Sequence, residues 1–269
     1  MKTLIVKDKS ELFVYKKEIL NLFRESYGLE LSSEIWDWAY INNPYGNPYA
    51  ALAFDDELVA HYAVIPYPLM DKSGVKEKSF LSMTTMVAKS YRKYGLFTKL
   101  ASLTYDELKK DGAGFVMGFP NQMSAPGFRK RLEWDILEPD VVVSVNRNDL
   151  ETLITRDSLI GIEKSTQFIA DLSDNELRGW RLSKPGFKYV WNDGVAYKEY
   201  KGQIDVMYYE SLEDLKNLPL ASTYNMLLPA DIISDKSIIS FEYIFGGLSL
   251  NKDFDPNKVR RHMCISDVF

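Results

Sequence analysis

The apolar residues change their spacing along the chain, and each change marks an element. Between residues 11 and 27, Leu12, Tyr15, Ile19, Leu22 and Phe23 recur at helical intervals, with Ser10 as the expected N-cap and Gly28 as the stop. A second helix is expected over roughly residues 32–41, carrying Ile35, Trp36, Trp38 and Ala39. Asn42 to Pro48 holds two prolines and a glycine and reads as a loop. Strands follow over residues 49–54 and 58–67, joined at Asp55-Asp56-Glu57 as a hairpin. A turn at residues 71–74 leads into a further strand that runs to Val87. Next come Tyr91-Arg92-Lys93-Tyr94-Gly95 and a long helix with Leu96, Leu100, Leu103, Thr104 and Leu108 on one face. Lys109, Lys110 and Gly112 close that helix. Another strand, residues 115–119, opens into Pro120-Asn121-Gln122-Met123-Ser124 and a short helix bearing Arg129, Lys130 and Arg131. A helix between neighbouring strands makes their connection a crossover, so the sheet is expected to be antiparallel at first and locally parallel after it.

Beyond Trp134 the pattern is less regular. Residues 141–145 form a strand, and the polar stretch 148–158 reads as a link. The remainder carries a faint echo of the first half. Trp180 and Lys184-Pro185 precede a hairpin around Asn192-Asp193-Gly194, as Trp38 and Asn43-Pro44 precede the earlier hairpin. The expected division is residues 1–140 and 141–269. The Arg-x-x-Gly turn has no counterpart in the second part.

Composition narrows the classes of function. The 269 residues carry a net charge of −5, with a pI near 5.3. That disfavours nucleic acid as a partner, which calls for basic surface. A single cysteine, Cys264, excludes an intrachain disulfide, and no Cys/His cluster suggests a metal. The N-terminal apolar run is too short and too soon charged for a signal peptide, and no run approaches a membrane span, so a cytoplasmic protein is expected.

The chemistry concentrates between Ser79 and Trp134. A strand feeding a tight turn at a helix N-terminus presents N–H groups that lack intrahelical partners, with the positive end of the helix dipole behind them. Strand, Arg92-x-x-Gly95-x-Phe97, helix, strand, Asn121 and Leu132-Glu133-Trp134 together resemble the GNAT (Gcn5-related) N-acyltransferase superfamily over about residues 1–140. The resemblance implies an α+β GNAT fold: a mixed, mostly antiparallel sheet flanked by helices, followed by a second, degenerate GNAT-like domain that completes the acceptor cleft. The aromatic lead-in Trp36-Asp37-Trp38-Ala39-Tyr40 and Gly118-Phe119-Pro120-Asn121 resemble bacterial members that acylate amino groups of nucleotide-linked sugars for surface polysaccharides.

On that resemblance the co-substrate is acyl-CoA, with its pyrophosphate on the backbone of Lys93, Tyr94, Gly95, Leu96, Phe97 and Thr98 and with Arg92 and Lys93 adding charge. The pantetheine would run along Met86 and Val87 and meet Asn121, and the N–H near Met86 would stabilise the oxyanion. Phe97 stands where the family has a small residue. The tyrosine that often serves as general acid is replaced at Phe128 or Arg129. His61 is the candidate base, since only histidine titrates unperturbed near neutrality, with a merely structural histidine as the alternative. Tyr40 and Tyr45 are candidate acceptor contacts. A Cys264/His262 nucleophile pair lacks any orienting context. The expected partners are acyl-CoA and a small amine, such as a dTDP-3-amino-3,6-dideoxyhexose. An aminoglycoside acceptor and a non-catalytic acyl-CoA-binding module are the alternatives, and a homodimer is compatible with either class.

Overall fold

The computed structural model describes residues 1–154 and 157–266. The first half runs β1 (Lys2–Val6), α1 (Lys9–Val14), α2 (Lys16–Tyr27), α3 (Ser33–Tyr40), β2 (Tyr49–Asp55), β3 (Glu57–Pro66), β4 (Leu69–Asp71), β5 (Lys76–Glu77), β6 (Ser79–Val87), α4 (Leu96–Lys110), β7 (Phe115–Gly118), α5 (Ala125–Arg131) and β8 (Asp135–Ile136). The second half continues with β9 (Asp140–Val145), α6 (Arg147–Ile154), α7 (Asp157–Ser165), β10 (Phe168–Ile169), α8 (Asn175–Arg181), β11 (Tyr189–Asn192), β12 (Val195–Tyr200), β13 (Gln203–Tyr209), β14 (Tyr224–Pro229), β15 (Ile239–Tyr243), β16 (Gly246–Ser249) and β17 (Val259–Arg260).

Two local expectations change. The first helix is two: Asp8, not Ser10, caps α1 by accepting from the N–H groups of Ser10 and Glu11, and the chain breaks at Tyr15 before α2. The stretch read as a link contains α6 and the start of α7, because Leu150, Leu153 and Leu159 pack into a core; residues 155–156 lie outside the described residues.

The central sheet has the order β1-β2-β3-β6-β7-β16-β8. Pairing is antiparallel from β1 to β6, then parallel between β6 and β7, as the crossover helix α4 requires. Alternation along β2 and β3 serves two cores. Ala50, Leu52, Ala63 and Ile65 face the side of α1–α3, whereas Tyr49, Ala51, Ala53, Ala60 and Val64 face α4. The small residues on the latter face let Leu100, Ala101, Tyr105 and Leu108 of α4 approach closely.

One strand of the second half joins the first sheet: β16 enters between β7 and β8, whereas β9 stays in the second sheet, whose order is β11-β12-β13-β14-β9-β15. The division expected at residue 140 is therefore crossed near the C-terminus. Gly246 and Gly247 permit the insertion: a Cβ on Gly246 would lie 2.6 Å from Asp135 O, and one on Gly247 2.8 Å from Val116 O.

Five strands of the second sheet repeat the pattern of the first. β11-β12-β13-β14-β9 pair antiparallel, antiparallel, parallel and antiparallel, as do β2-β3-β6-β7-β16. The six-residue 3₁₀ segment Leu212–Asn217 stands where α4 stands in the first. The echo of Trp38 in Trp180 is a physical contact. The two indoles stack with centroids 4.9 Å apart, and each Nε1–H donates to the other's backbone carbonyl, at 2.8 and 2.9 Å.

Candidate active site

The parallel pairing of β6 with β7 stops at Ser82 opposite Gly118, and β6 continues to Val87 hydrogen-bonded to β3 alone. The strands part, and a groove of about 910 Å³ occupies the notch. β6, the turn before α4, the loop after β7 and α5 line it, together with the end of α2 and residues 241–244 from the second half.

One end of the groove is the start of α4. Lys99 is the first residue whose N–H bonds back, to Gly95 O at 3.1 Å, so the N–H groups of Leu96, Phe97 and Thr98 have no intrahelical carbonyl. Among the described residues no side chain caps this end, and the first turn carries no acidic residue. Gly95 sits at φ 69°, and a Cβ there would meet no protein atom within 4 Å. The open space borders the groove and is suited to an anion. Arg92, Lys130 and Arg131 are the cationic lining residues.

The strand wall offers its backbone. Ala88 N–H donates to Val59 O, and β-alternation then turns Val87 away from β3, Met86 toward it and Thr85 away again. Two contacts agree: Tyr27 donates its hydroxyl to Thr85 O at 2.7 Å, and Arg92 Nε donates to Val87 O at 3.3 Å. The notch-facing N–H groups are thus those of Thr85 and Val87. Met86, expected to carry the donor, instead faces its ladder partner His61.

An extended backbone edge beside an anion-ready helix start is the geometry that a phosphorylated, amide-bearing thioester needs. Residues 15–137 match the family model for the acetyltransferase (GNAT) domain. The first half of the chain carries a GNAT acetyltransferase domain. The chain is accordingly an acyl-CoA-dependent N-acyltransferase. No curated protein sequence matches the chain.

Solved structures share the fold well beyond the GNAT domain. A GCN5-related N-acetyltransferase from Kribbella flavida superposes with a TM-score of 0.61 at 15% identity, over 93% of this chain and 71% of that one. A conserved Enterococcus faecalis protein described as a probable N-acyltransferase gives 0.61 at 11%, over 93% and 73%. Eis1 from Mycobacterium abscessus gives 0.58 at 12%, over 93% and 74%.

Within the GNAT domain the expected site residues separate. Arg92, Gly95, Phe97, Asn121, Met86 and Val87 line the groove. Lys93, Tyr94, Leu96 and Thr98 do not: Lys93 lies over the exposed Tyr94 ring, and the Leu96 side chain is buried under α4. Asn121 accepts from the N–H groups of Met123 and Ser124 with its carboxamide oxygen, so its NH₂ is the half available to a ligand. Phe97 packs edge-on against Phe128 at 5.1 Å and above Gly127, where a Cβ would come within 3.1 Å of its ring. The large residue at this position is thus matched by a glycine on α5.

The side chains expected to act on the acceptor lie elsewhere. His61 is buried behind the sheet and donates from Nδ1 to Thr84 O at 2.8 Å; burial pushes its pKa down to about 4. Tyr40 is buried and its hydroxyl pairs with Thr84 Oγ1. Tyr45 donates to Asp174 Oδ1 at 2.8 Å, outside the groove. Phe128 carries no acid and packs between Phe97 and Trp134. Arg129 is tied to Ile136 O at 2.8 Å. Cys264 is buried with its thiol pushed up to about 12 by burial, and His262 packs between Tyr208 and Tyr209. Neither has the exposure that a nucleophile pair requires.

Sequence reasoning missed Tyr27, Thr84, Thr85, Phe241 and Tyr243, all on the groove. Phe241 is 43% exposed, and the Phe119 and Tyr243 rings lie 4.9 Å apart. Only an odd pair of threonines in an apolar strand hinted at the first wall. Nothing in the sequence places residues 241–244 against β7.

Proposed function

We propose that this enzyme moves an acetyl or short hydroxyacyl group from CoA to the primary amine of a nucleotide-linked amino sugar, by direct attack of the amine on the thioester. The carrying observation is the notch in which the backbone edge of Thr85 and Val87 adjoins the uncapped start of α4. With the pyrophosphate at Leu96–Thr98, a pantetheine arm laid along β6 reaches Thr85, whose N–H then faces the carbonyl oxygen on which charge develops. The amine must arrive neutral, and among the described residues no histidine or aspartate lines the groove, so its proton passes to water. A departing thiolate, from a thiol of pKa near ~8.5, leaves without a strong acid.

The charge of the lining favours an anionic acceptor over an aminoglycoside. Among the described residues Glu242 is the only acidic one lining the groove, opposed to Arg92, Lys130 and Arg131. It pairs with Val141, which packs with Leu150, Leu153 and Leu159, whereas Phe241 pairs with Val142, which packs into the core on the α1–α3 side, so alternation turns the carboxylate to the far face of β15. The aromatic wall of Phe119, Phe241 and Tyr243 suits a base or a sugar ring.

The test is thiol release from acetyl-CoA and 3-hydroxybutanoyl-CoA with a panel of dTDP-amino sugars, aminoglycosides and simple amines. The proposal expects the nucleotide sugars to give the largest kcat/KM. Faster turnover of aminoglycosides would overturn the acceptor class. CoA binding with no thiol release from any amine would point to a binding module instead.

A further inference from the structure

We infer that His61 is a positioning residue for acyl transfer: through the Thr84 carbonyl it aims and polarises the Thr85 N–H at the oxygen of the thioester. The inference rests on the proposed reading that the thioester lies in the notch, and it assigns His61 a role other than that of a base.

Thr84 O can only accept, so Nδ1 of His61 carries the proton in the 2.8 Å bond between them. Nε2 is then a bare acceptor, and it is buried with no partner among the described residues. Burial also holds the ring neutral through the working pH range. A base would need that second nitrogen at the amine, but His61 does not line the groove.

The Thr84 carbonyl and the Thr85 N–H are the two ends of one peptide unit. The bond is trans, so they point in opposite directions. A donor on the carbonyl from the side of β3 therefore directs the N–H away from β3, into the notch. The same bond draws charge toward the carbonyl oxygen and makes the N–H a stronger donor.

The backbone here needs holding. β3 and β6 are in register at His61 opposite Met86 and again at Ala63 opposite Met83, leaving Tyr62 to face both Thr84 and Thr85. This is a bulge, with Thr84 at φ 49°, a conformation that costs a β-branched residue energy. Tyr40 pairs with the Thr84 hydroxyl and Tyr27 holds Thr85 O. Of these contacts, the one from His61 falls on the peptide that bears the donor.

The variants are His61→Asn, whose amide nitrogen replaces Nδ1 as donor, and His61→Phe, which keeps a ring beneath Tyr40 but cannot donate. For His61→Phe the expected loss is about tenfold to hundredfold in kcat, within that of removing an oxyanion donor, with KM for acyl-CoA changed less than about twofold. His61→Asn should recover most of kcat and keep the wild-type pH profile. In infrared difference spectra of bound carbonyl-¹³C acetyl-CoA, the thioester stretch should be lowered in wild type and His61→Asn. In His61→Phe it should return toward its value in solution. Equal impairment of both variants, or an unchanged stretch in His61→Phe, would overturn the inference. If Phe is not tolerated, His61→Leu serves. Asn also decides alone, because an amide cannot act as a base and would be inactive if His61 were one. The stretch needs no acceptor, so a failure of the acceptor proposal leaves this test intact.

Discussion

Gly95 and Gly112 flank the same helix, and together they isolate what the start of α4 does. Gly95 has φ 69° and Gly112 φ 75°, and a Cβ on either would meet no protein atom within 4 Å. Replacing either by alanine imposes the left-handed strain of an L-residue, roughly 1–2 kcal/mol, and no packing clash. The two variants should therefore lose similar stability in urea unfolding. Their ligand binding should differ. At Gly95 the added methyl group occupies the space beside the N–H groups of Leu96, Phe97 and Thr98. Displacing a pyrophosphate from one or two charge-assisted hydrogen bonds costs about 2–4 kcal/mol, or about 30- to 700-fold in Kd. Gly112→Ala, at the far end of the helix, should leave Kd unchanged. Isothermal titration with CoA measures both. Equal weakening by the two variants would show that the effect is one of stability, and no weakening by Gly95→Ala would remove the pyrophosphate from the α4 start.

Two further outcomes follow from contacts between the halves. Trp38→Phe and Trp180→Phe each remove a buried N–H donor and leave the other half's carbonyl without it, so each should destabilise by about 1–3 kcal/mol. The double variant should cost less than the sum of the two in urea unfolding, and strict additivity would deny that they form one unit. Asp174 is the second case. Burial opposes ionisation of its carboxylate, but Lys76 at 2.6 Å, the Leu177 N–H and the Tyr45 hydroxyl prevail and hold its pKa at about 2. A depressed carboxylate pKa stabilises the fold above the unfolded value near ~3.9, and that contribution is lost as pH falls toward 2. Solvent screening limits it to about 1 kcal/mol or less. Asp174→Asn keeps an N-cap for α8 and should flatten stability between pH 4 and 2. An unchanged acid limb would refute the assignment.

Much of the donor half was legible because its signals are local. Gly28 and Gly95 stop and start helices through their own φ angles of 70° and 69°. The strand, turn, helix and strand from Ser79 to Gly118 follow from periodicity read over short windows. The start of the first helix turned on which of two nearby polar residues caps it, Asp8 or Ser10, and both are acceptable N-caps. The polar stretch after Val145 looked like a link because Leu150, Leu153 and Leu159 acquire helical meaning only once a core lies beneath them.

The acceptor side was not legible, for a geometric reason. A histidine on a strand suggests a base by its intrinsic pKa, but burial behind the sheet and one bond to Thr84 O make it a neutral donor. A period-two pattern states which residues share a face, not which edge of the strand lacks a partner. That Met86 faces His61 rather than the notch depends on the register of β6 against β3. The sequence by itself determined the helices and strands around Arg92 to Gly95 and the anion-ready start of α4, consequences of local spacing and backbone preference. Tertiary structure alone decided that β16 returns to the first sheet and that residues 241–244 wall the groove. These are contacts between segments more than a hundred residues apart, and the chain carries no local record of them.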